Sequence, residues 1–301
     1  MGKYLFVGNG INKIDNILFK EIDWKELIRQ IAIDTGIKDY NKDISPTLGF
    51  ERILNKITDY KDTSKNKYEE IKNRVLEKLD VIDLFNDEIK KEILKNDFDG
   101  FITTNYDYNL EETLYGKQDN KNVGIISETK YSLFRRSIAN NKYFYHIHGE
   151  KKVDDSICLG YEHYCNNISR SNSYIKGTYE IGSNKLKVKS LDSKFDNLDQ
   201  DYSWIDRFFF DDIYIIGFGL GYEEIDIWWI IVLRAYMYYS TYKDKIKNKI
   251  VFIDIVPKEN DQFKQLLPDM HVKYKFYDSG EKYKNSKIRY IEALKDIRGG
   301  L

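Results

Sequence analysis

Short apolar runs recur along the chain, and each has the length of one buried β-strand. The clearest two are Lys3–Val7 and Asp212–Ile216, because each ends in a glycine-rich turn. Further strand candidates are at residues 98–104, 123–126, 143–147, 157–159, 249–255 and 272–276. We expect these runs to form the core of a sheet.

Helical patterns alternate with the strand candidates. Residues 14–35 and 47–95 carry Ile, Leu, Lys and Glu at helical spacing, with a polar break at 60–66. Later helices are predicted at 107–115, from about 223, at 259–267 and at 286–297. The alternation predicts an α/β fold with a Rossmann-like parallel sheet, helices on both faces and a helical subregion over 14–95.

Residues 166–206 interrupt this order. They are rich in Ser, Asn, Lys and Asp and show no sustained apolar period. Such a stretch is typical of a polar insertion, either a flexible arm or a small subdomain. We interpret the remainder of residues 1–301 as belonging to a single α/β domain.

Composition and charge exclude several classes of protein. The 48 Lys and Arg residues balance 49 Asp and Glu residues, so nothing attracts the chain as a whole to nucleic acid or to an anionic membrane. Two cysteines, Cys158 and Cys165, are too few for a disulfide framework or a four-cysteine zinc ribbon. Without a recognisable signal sequence or an apolar stretch of bilayer length, we expect a cytoplasmic protein that binds no metal, membrane or nucleic acid.

Two glycine-rich loops follow the clearest strands. The first contains Gly8, Asn9, Gly10 and Asn12, and the second contains Gly217, Gly219 and Gly221. Glycines between a strand and a helix let the backbone approach a phosphate, where helix N–H groups can bind it. Position 13 is Lys13, so the third glycine of the dinucleotide fingerprint is absent. For both loops, a turn required by close packing explains the glycines equally well.

Polar residues follow a further predicted strand in the string Thr103-Thr104-Asn105-Tyr106-Asp107. Open α/β sheets bind ligands at the carboxyl ends of their strands, and the Asn105 amide can donate and accept hydrogen bonds there. Thr104 adds a small hydroxyl. Asp107 is explained better as a cap of the next helix, although it lies close enough to contact a ligand. Asp254, near the end of a later strand, is a candidate acceptor for ribose hydroxyls.

Two of the four histidines are close together in the chain. His146 and His148 are two residues apart on a predicted strand, which would place both side chains on one face. We interpret His146 as structural and His148 as functional. Trp228 and Trp229 lie in an apolar helix and indicate core packing or an oligomer interface rather than a cofactor platform.

The order of these motifs resembles that of the bacterial SIR2-like proteins. It runs Gly8-Asn9-Gly10, Thr103-Thr104-Asn105-Tyr106-Asp107, His148-Gly149 and Gly217-Phe218-Gly219-Leu220, between residue 3 and about residue 260. The string Tyr-His-Ile-His-Gly at 145–149 is also similar to one in the AbiH abortive-infection family. The chain departs from the deacetylase sirtuins, because it has neither their four-cysteine zinc module nor their extended motif after the first glycine loop.

The resemblance implies that Asn105 and His148 correspond to a catalytic Asn and His. It implies that both glycine loops, including Leu220, contact NAD+, and that the protein destroys cellular NAD+ in anti-phage defence. We therefore expect an NAD+ hydrolase that forms ADP-ribose and nicotinamide, with Asn105 orienting the ribose or water and His148 accepting a proton. We also expect a homo-oligomer whose activator is phage-derived or another protein. A non-catalytic NAD+ or ADP-ribose sensor and an ADP-ribosyl or deacyl transferase remain as alternatives.

Overall fold

One seven-stranded sheet organises the molecule. The computed structural model describes residues 1–14, 24–41, 43–57, 64–79, 86–116, 132–153, 156–181, 186–196, 203–256 and 264–301. The sheet strands are β1 (Lys3–Val7), β2 (Gly100–Thr103), β3 (Ser137–Ala139), β4 (Lys142–His146), β7 (Asp212–Ile216), β8 (Ile250–Val256) and β9 (Lys273–Asp278), while β5 (Glu180–Ile181) and β6 (Leu186–Lys187) form a separate hairpin. The order across the sheet is β3-β4-β2-β1-β7-β8-β9.

The strand order reverses direction at β1. Six strands are parallel, and only β3 runs antiparallel, at one edge. From β4 to β9 the order is that of the doubly wound dinucleotide-binding fold, in which ligands bind where the order reverses. Val7 is in register with Thr103 on one side and with Ile216 on the other, so the carboxyl ends of β1, β2 and β7 lie together. The predicted Rossmann-like α/β fold is confirmed.

Helices cover both faces of the sheet. They are α1 (Trp24–Asp34), α2 (Pro46–Ile57), α3 (Ser64–Leu79), α4 (Asp87–Leu94), α5 (Asn109–Tyr115), α6 (Tyr161–Ile175), α7 (Leu191–Asp196), α8 (Trp204–Phe210), α9 (Ile225–Tyr239) and α10 (Ser286–Arg298). Successive strand residues point to opposite faces, so Phe6 packs with α8 and α9 while Leu5 packs with α4, α5 and α10. Helices α1 to α3 form a third apolar cluster. Among the described helices none is long and apolar enough to cross a bilayer.

Several elements differ from the sequence-based predictions. Residues 157–159 form no strand, although Ile157 and Leu159 are buried in the third cluster, so their apolar character reflects burial alone. The short edge strand β3 was not predicted. Strand β4 ends at His146, which leaves His148 in the following turn rather than on a strand face. The predicted strand at 123–126 and the start of the predicted helix at 259–267 lie outside the described residues, and a 3-10 helix spans Lys264–Leu266.

The segment 166–206 does not behave as a flexible arm where the structure describes it. Most of α6 lies within it, followed by the β5–β6 hairpin, α7 and the start of α8. The buried face of α6 is built from five residues, none of them aliphatic: His163, Tyr164, Asn167, Ser171 and Tyr174. Because three of these residues are His, Asn and Ser and the other two are tyrosines, a search for apolar periodicity does not detect the helix.

Candidate functional site

A cleft of about 750 Å³ opens at the carboxyl ends of the central strands. It lies where the strand order reverses, which is the usual ligand site of this fold. Ten residues singled out from the sequence line it: Asn9, Gly10, Thr104, Asn105, Asp107, His148, Gly217, Gly219, Leu220 and Asp254. The two other predicted site residues, Gly8 and Asn12, do not line the cleft. The side-chain amide of Asn12 instead donates to Asn9 Oδ1 at 3.2 Å.

The two glycine loops pack directly against each other. The backbone N–H of Gly10 donates to the carbonyl of Gly217 at 2.7 Å. A Cβ atom at Gly8 would lie 2.5 Å from that carbonyl oxygen, closer than atoms can approach. Gly217 itself has a φ of 66°, which favours glycine. Close packing therefore accounts for Gly8 and Gly217, whereas a Cβ at Gly219 would meet nothing within 4 Å and this residue is exposed at the cleft.

The first loop does not lead directly into an α-helix. Residues Asn9–Lys13 form a 3-10 helix, and α1 begins only at Trp24. The described part of the chain therefore provides no α-helix N-terminus immediately after Gly8. The backbone after the second loop does reach such an N-terminus, since α9 begins at Ile225. The helix dipole consequently favours negative charge at Glu224 and Asp226.

Backbone contacts hold Asn105 at the floor of the cleft. Its N–H donates to Thr103 Oγ1 at 3.0 Å, and its carbonyl accepts from His146 Nδ1 at 2.7 Å. The Thr103 hydroxyl in turn donates to the carbonyl of Val7 at 2.8 Å. The side-chain amide of Asn105 is half-buried and makes no hydrogen bond with the described residues, so it is available to a ligand.

His146 lies behind Asn105 and does not line the cleft. Its Nε2 lies 2.7 Å from Glu111 Oε1, and both side chains are buried. Burial alone would lower the pKa of His146, but the Glu111 carboxylate outweighs burial and the pKa is raised to about 9. At neutral pH the ring is therefore protonated and donates from both nitrogens, one to Glu111 and one to the Asn105 carbonyl.

His148 is oriented by a buried carboxylate on α9. Its Nε2 lies 3.0 Å from Asp226 Oδ2, an oxygen that also accepts from the Asn167 amide on α6 at 2.6 Å. Asp226 Oδ1 accepts the N–H of Ile227 at 2.9 Å. Nε2 therefore carries a proton, and Nδ1 is the nitrogen that can exchange one. Burial lowers the pKa of His148, but Asp226 and Glu224 more than compensate, so the pKa is raised.

A second acid, Glu224, faces His148 from the residue before α9. Its Oε2 lies 4.0 Å from His148 Nδ1, and the Tyr164 hydroxyl lies 3.5 Å from the same nitrogen. Burial raises the pKa of Glu224 to about 7, in spite of the opposing effect of His148. Glu224 can thus exchange a proton near neutral pH, next to a histidine that its own charge helps to keep protonated.

The cluster of His148, Glu224 and Asp226 is compact enough to be tested as a metal site. One potential ligand atom from each lies within 4.8 Å of the others. However, both oxygens of Asp226 already accept hydrogen bonds, and His148 Nε2 donates to one of them. A cation bound to Asp226 Oδ2 would compete with the His148 and Asn167 donors for that oxygen, and the observed hydrogen bonds are those of an oriented histidine.

The remaining predicted residues have mixed surroundings. Asp107 lies one residue before Tyr108, the N-cap of α5, and accepts the N–H of Asn109 at 3.0 Å, while burial raises its pKa to about 6. Both oxygens of Asp254 lie 3.1 Å from Lys264 Nζ, so this acid is already paired in the wall of the cleft. Thr104 is half-buried at the rim. Leu220 is fully buried in the wall of the cleft.

Sequence reasoning missed Glu224, Asp226, Asn167 and Tyr164. The two acids follow the second glycine loop at the start of a helix, and acidic residues at a helix N-terminus beside a glycine-rich turn are a signal that the sequence does contain. Asn167 and Tyr164 carry no comparable signal, because they belong to a helix that the sequence pattern did not reveal.

No family model matches the chain, and no curated protein matches it. The resemblance to SIR2-like proteins therefore stays a prediction. The chemistry proposed for the site therefore rests on the groups that line the cleft.

Proposed function

We propose that this protein hydrolyses NAD+ to ADP-ribose and nicotinamide. The observation that carries the proposal is the convergence of Asn105, His148 and two glycine loops on one cleft at the switch point of a dinucleotide-binding sheet. A cleft of about 750 Å³ is within the usual size range for small-molecule and cofactor sites. The exposed backbone of Gly219 can approach the pyrophosphate of NAD+. Asn105 and His148 can contact the ribose at which the bond breaks.

The reaction requires mainly that the ribose and the attacking water are correctly oriented and that one group accepts a proton. Water forms a bond to C1′ of the ribose while the C1′–N bond breaks, and the bonding electron pair neutralises the departing nicotinamide. The unbonded Asn105 amide can hold the ribose hydroxyls or the water. His148 Nδ1, with Nε2 held by Asp226, can accept the proton that the water loses. This scheme needs no metal, because all the groups it uses are side chains.

We also propose a setting for this activity. An enzyme that depletes NAD+ suits anti-phage abortive infection, and it must be held inactive until an activator reaches it. The exposed side of α9 supports self-association, since Val232, Tyr236 and Tyr239 recur there at helical spacing, with Tyr236 73% exposed. Because Glu224 precedes α9 and Asp226 lies in its first turn, assembly on this helix would act on the element that holds both acids.

The experiment is NAD+ consumption by the purified protein over a wide concentration range, with products separated by chromatography. We expect nicotinamide and ADP-ribose from the wild type and at least a 100-fold loss in Asn105→Ala and His148→Ala. Lys247→Ala, an exposed change remote from the cleft, is the control. Saturable NAD+ binding without turnover would instead indicate a sensor. A rate that depends on an added acceptor would indicate a transferase.

A further inference from the structure

Glu224 is the more accessible partner in its pair with His148. Both line the cleft, but the His148 side chain is only 2% exposed and the Glu224 side chain is 21% exposed. Tyr164 and Asp226 contact the histidine ring from two other sides. A ligand entering the cleft therefore meets the carboxylate of Glu224 more readily than the imidazole of His148.

Among the described residues, no helix cap or hydrogen bond gives the side chain of Glu224 a structural role. It occupies the N-cap position of α9, yet its side chain caps no helical N–H. Its Oε2 is buried and makes no hydrogen bond in the described part of the chain. Buried carboxylate oxygens are normally paired, because desolvation without a partner costs free energy. An acid kept under these conditions at the edge of a cleft points to a functional role.

We infer that Glu224 is the catalytic base that contacts the substrate and that His148, held by Asp226, is a positioning residue behind it. The inference rests on the proposed NAD+ hydrolysis and refines its mechanism. The Glu224 carboxylate takes a proton from the attacking water as the oxygen bonds to C1′ and nicotinamide leaves with the electron pair of the broken bond. Glu224 then releases this proton to solvent through the open cleft, while His148, whose Nδ1 lies 4.0 Å from Glu224 Oε2, keeps the carboxylate in place.

The surroundings of Glu224 suit this step. The titratable groups facing it are His148 after β4, Tyr164 on α6, Asp226 on α9 and the adjacent Glu223. Burial and the two neighbouring acids raise the pKa of Glu224, whereas His148 lowers it, and the result is about 7. A carboxylate with this pKa is a stronger base than an exposed one and is still substantially ionised at neutral pH.

The test compares Glu224→Gln with Glu223→Gln in the full chain, freed of metals with a chelator. Both variants remove one negative charge from the same loop, but only Glu224 faces His148. We expect Glu224→Gln to lower kcat about 100-fold or more, with KM changed only a few fold. It should also abolish the acidic limb of the pH–rate profile near pH 7. Glu223→Gln should keep that limb, moved to somewhat lower pH because one of the two acids that raise the pKa of Glu224 is removed.

Chemical rescue separates a base from a structural group. In Glu224→Ala, added formate should restore part of kcat, because a small carboxylate can occupy the space of the missing side chain. ADP-ribose binding by each variant checks that the cleft is intact. Equal losses in Glu224→Gln and Glu223→Gln, or a retained acidic limb in Glu224→Gln, overturn the inference alone. A wild type that binds NAD+ without hydrolysing it, or fails to bind it, overturns the proposed function and this inference together.

Discussion

His146 and His148 are separated by one residue, yet their rings have different carboxylate partners. His146 contacts Glu111 on α5 and the backbone of Asn105, whereas His148 contacts Asp226 on α9. The end of β4 at His146 explains the divergence, because the backbone turns before His148. His146 therefore supports the floor of the cleft, and His148 belongs to its wall.

The charge on His146 should make stability depend on pH. Its pKa is about 9 in the folded protein and 6.5 as the ordinary value, so the folded state binds the proton more tightly. The stabilisation is fully present below pH 6.5 and is lost as the pH rises through about 9, for a total of up to about 3 kcal/mol. We expect the free energy of unfolding, measured with urea, to fall across this window.

His146→Gln removes that titration and should flatten the fall. His271→Gln is the matched control, because burial and Arg234 lower the pKa of His271 and its titration lies below this window. It should leave the slope unchanged. An equally steep fall in His146→Gln would contradict a protonated His146 in the native state.

Single residues were predicted unevenly from sequence. Asn105 and His148 stand next to distinctive neighbours in the chain, so their place at the cleft could be anticipated. Glu224 and Asp226 lie more than 70 residues beyond His148, and only the pairing of β1 with β7 brings α9 beside the end of β4. No local sequence pattern indicates that these two acids lie close to His148. The assumption that both histidines share a strand face failed because the length of β4 depends on its pairing with β2.

At the scale of elements, the glycines of the two loops fall into two kinds: some are required by packing, and others are exposed at the cleft. Gly8 and Gly217 allow one loop to lie on the other, while Gly219 leaves backbone exposed at the cleft. The sequence motif contains both kinds of glycine and does not distinguish them. The contact of the loops joins the ends of β1 and β7, which are the two strands at the switch point.

Matched alanine substitutions should expose this difference. Gly8→Ala places a methyl 2.5 Å from the Gly217 oxygen and 2.6 Å from Phe218 Cα, both backbone atoms. We expect it to destabilise the protein by about 1–3 kcal/mol in urea unfolding. Gly219→Ala should leave stability within about 0.5 kcal/mol and weaken ADP-ribose binding, because its methyl projects into the cleft. Equal stability of the two variants would show that the loops can separate without cost.

Helix α6 marks the limit of pattern-based prediction at this scale. Its buried side combines a hydrogen-bonding Asn167 with Tyr164 and Tyr174, so polar groups are satisfied by partners elsewhere in the chain. A sequence shows that these residues are polar but not that Asn167 will donate to Asp226 and Tyr174 to Asp206. The segment was therefore interpreted as an insertion, although its Asn167 holds the carboxylate that orients His148.

At the scale of the whole molecule, the cleft connects two halves of one sheet. Strands β2 and β4 lie on one side of β1, and β7, β8 and β9 lie on the other. Residues from both halves line the cleft, including Asn105 after β2 and Gly219 after β7. A ligand bound there contacts both halves, and its binding energy stabilises the folded state of each.

We therefore expect ADP-ribose to raise the melting temperature of the whole protein. At 100 times the Kd, binding contributes about 2.7 kcal/mol, which corresponds to a shift of about 5 °C or more. Differential scanning calorimetry should show a single unfolding transition for the described sheet, and ADP-ribose should move the whole transition to higher temperature. Ribose 5-phosphate at the same concentration is the control and should raise the melting temperature less. Two transitions, of which ADP-ribose moves one, would mean that the halves unfold separately and that the ligand contacts only one of them.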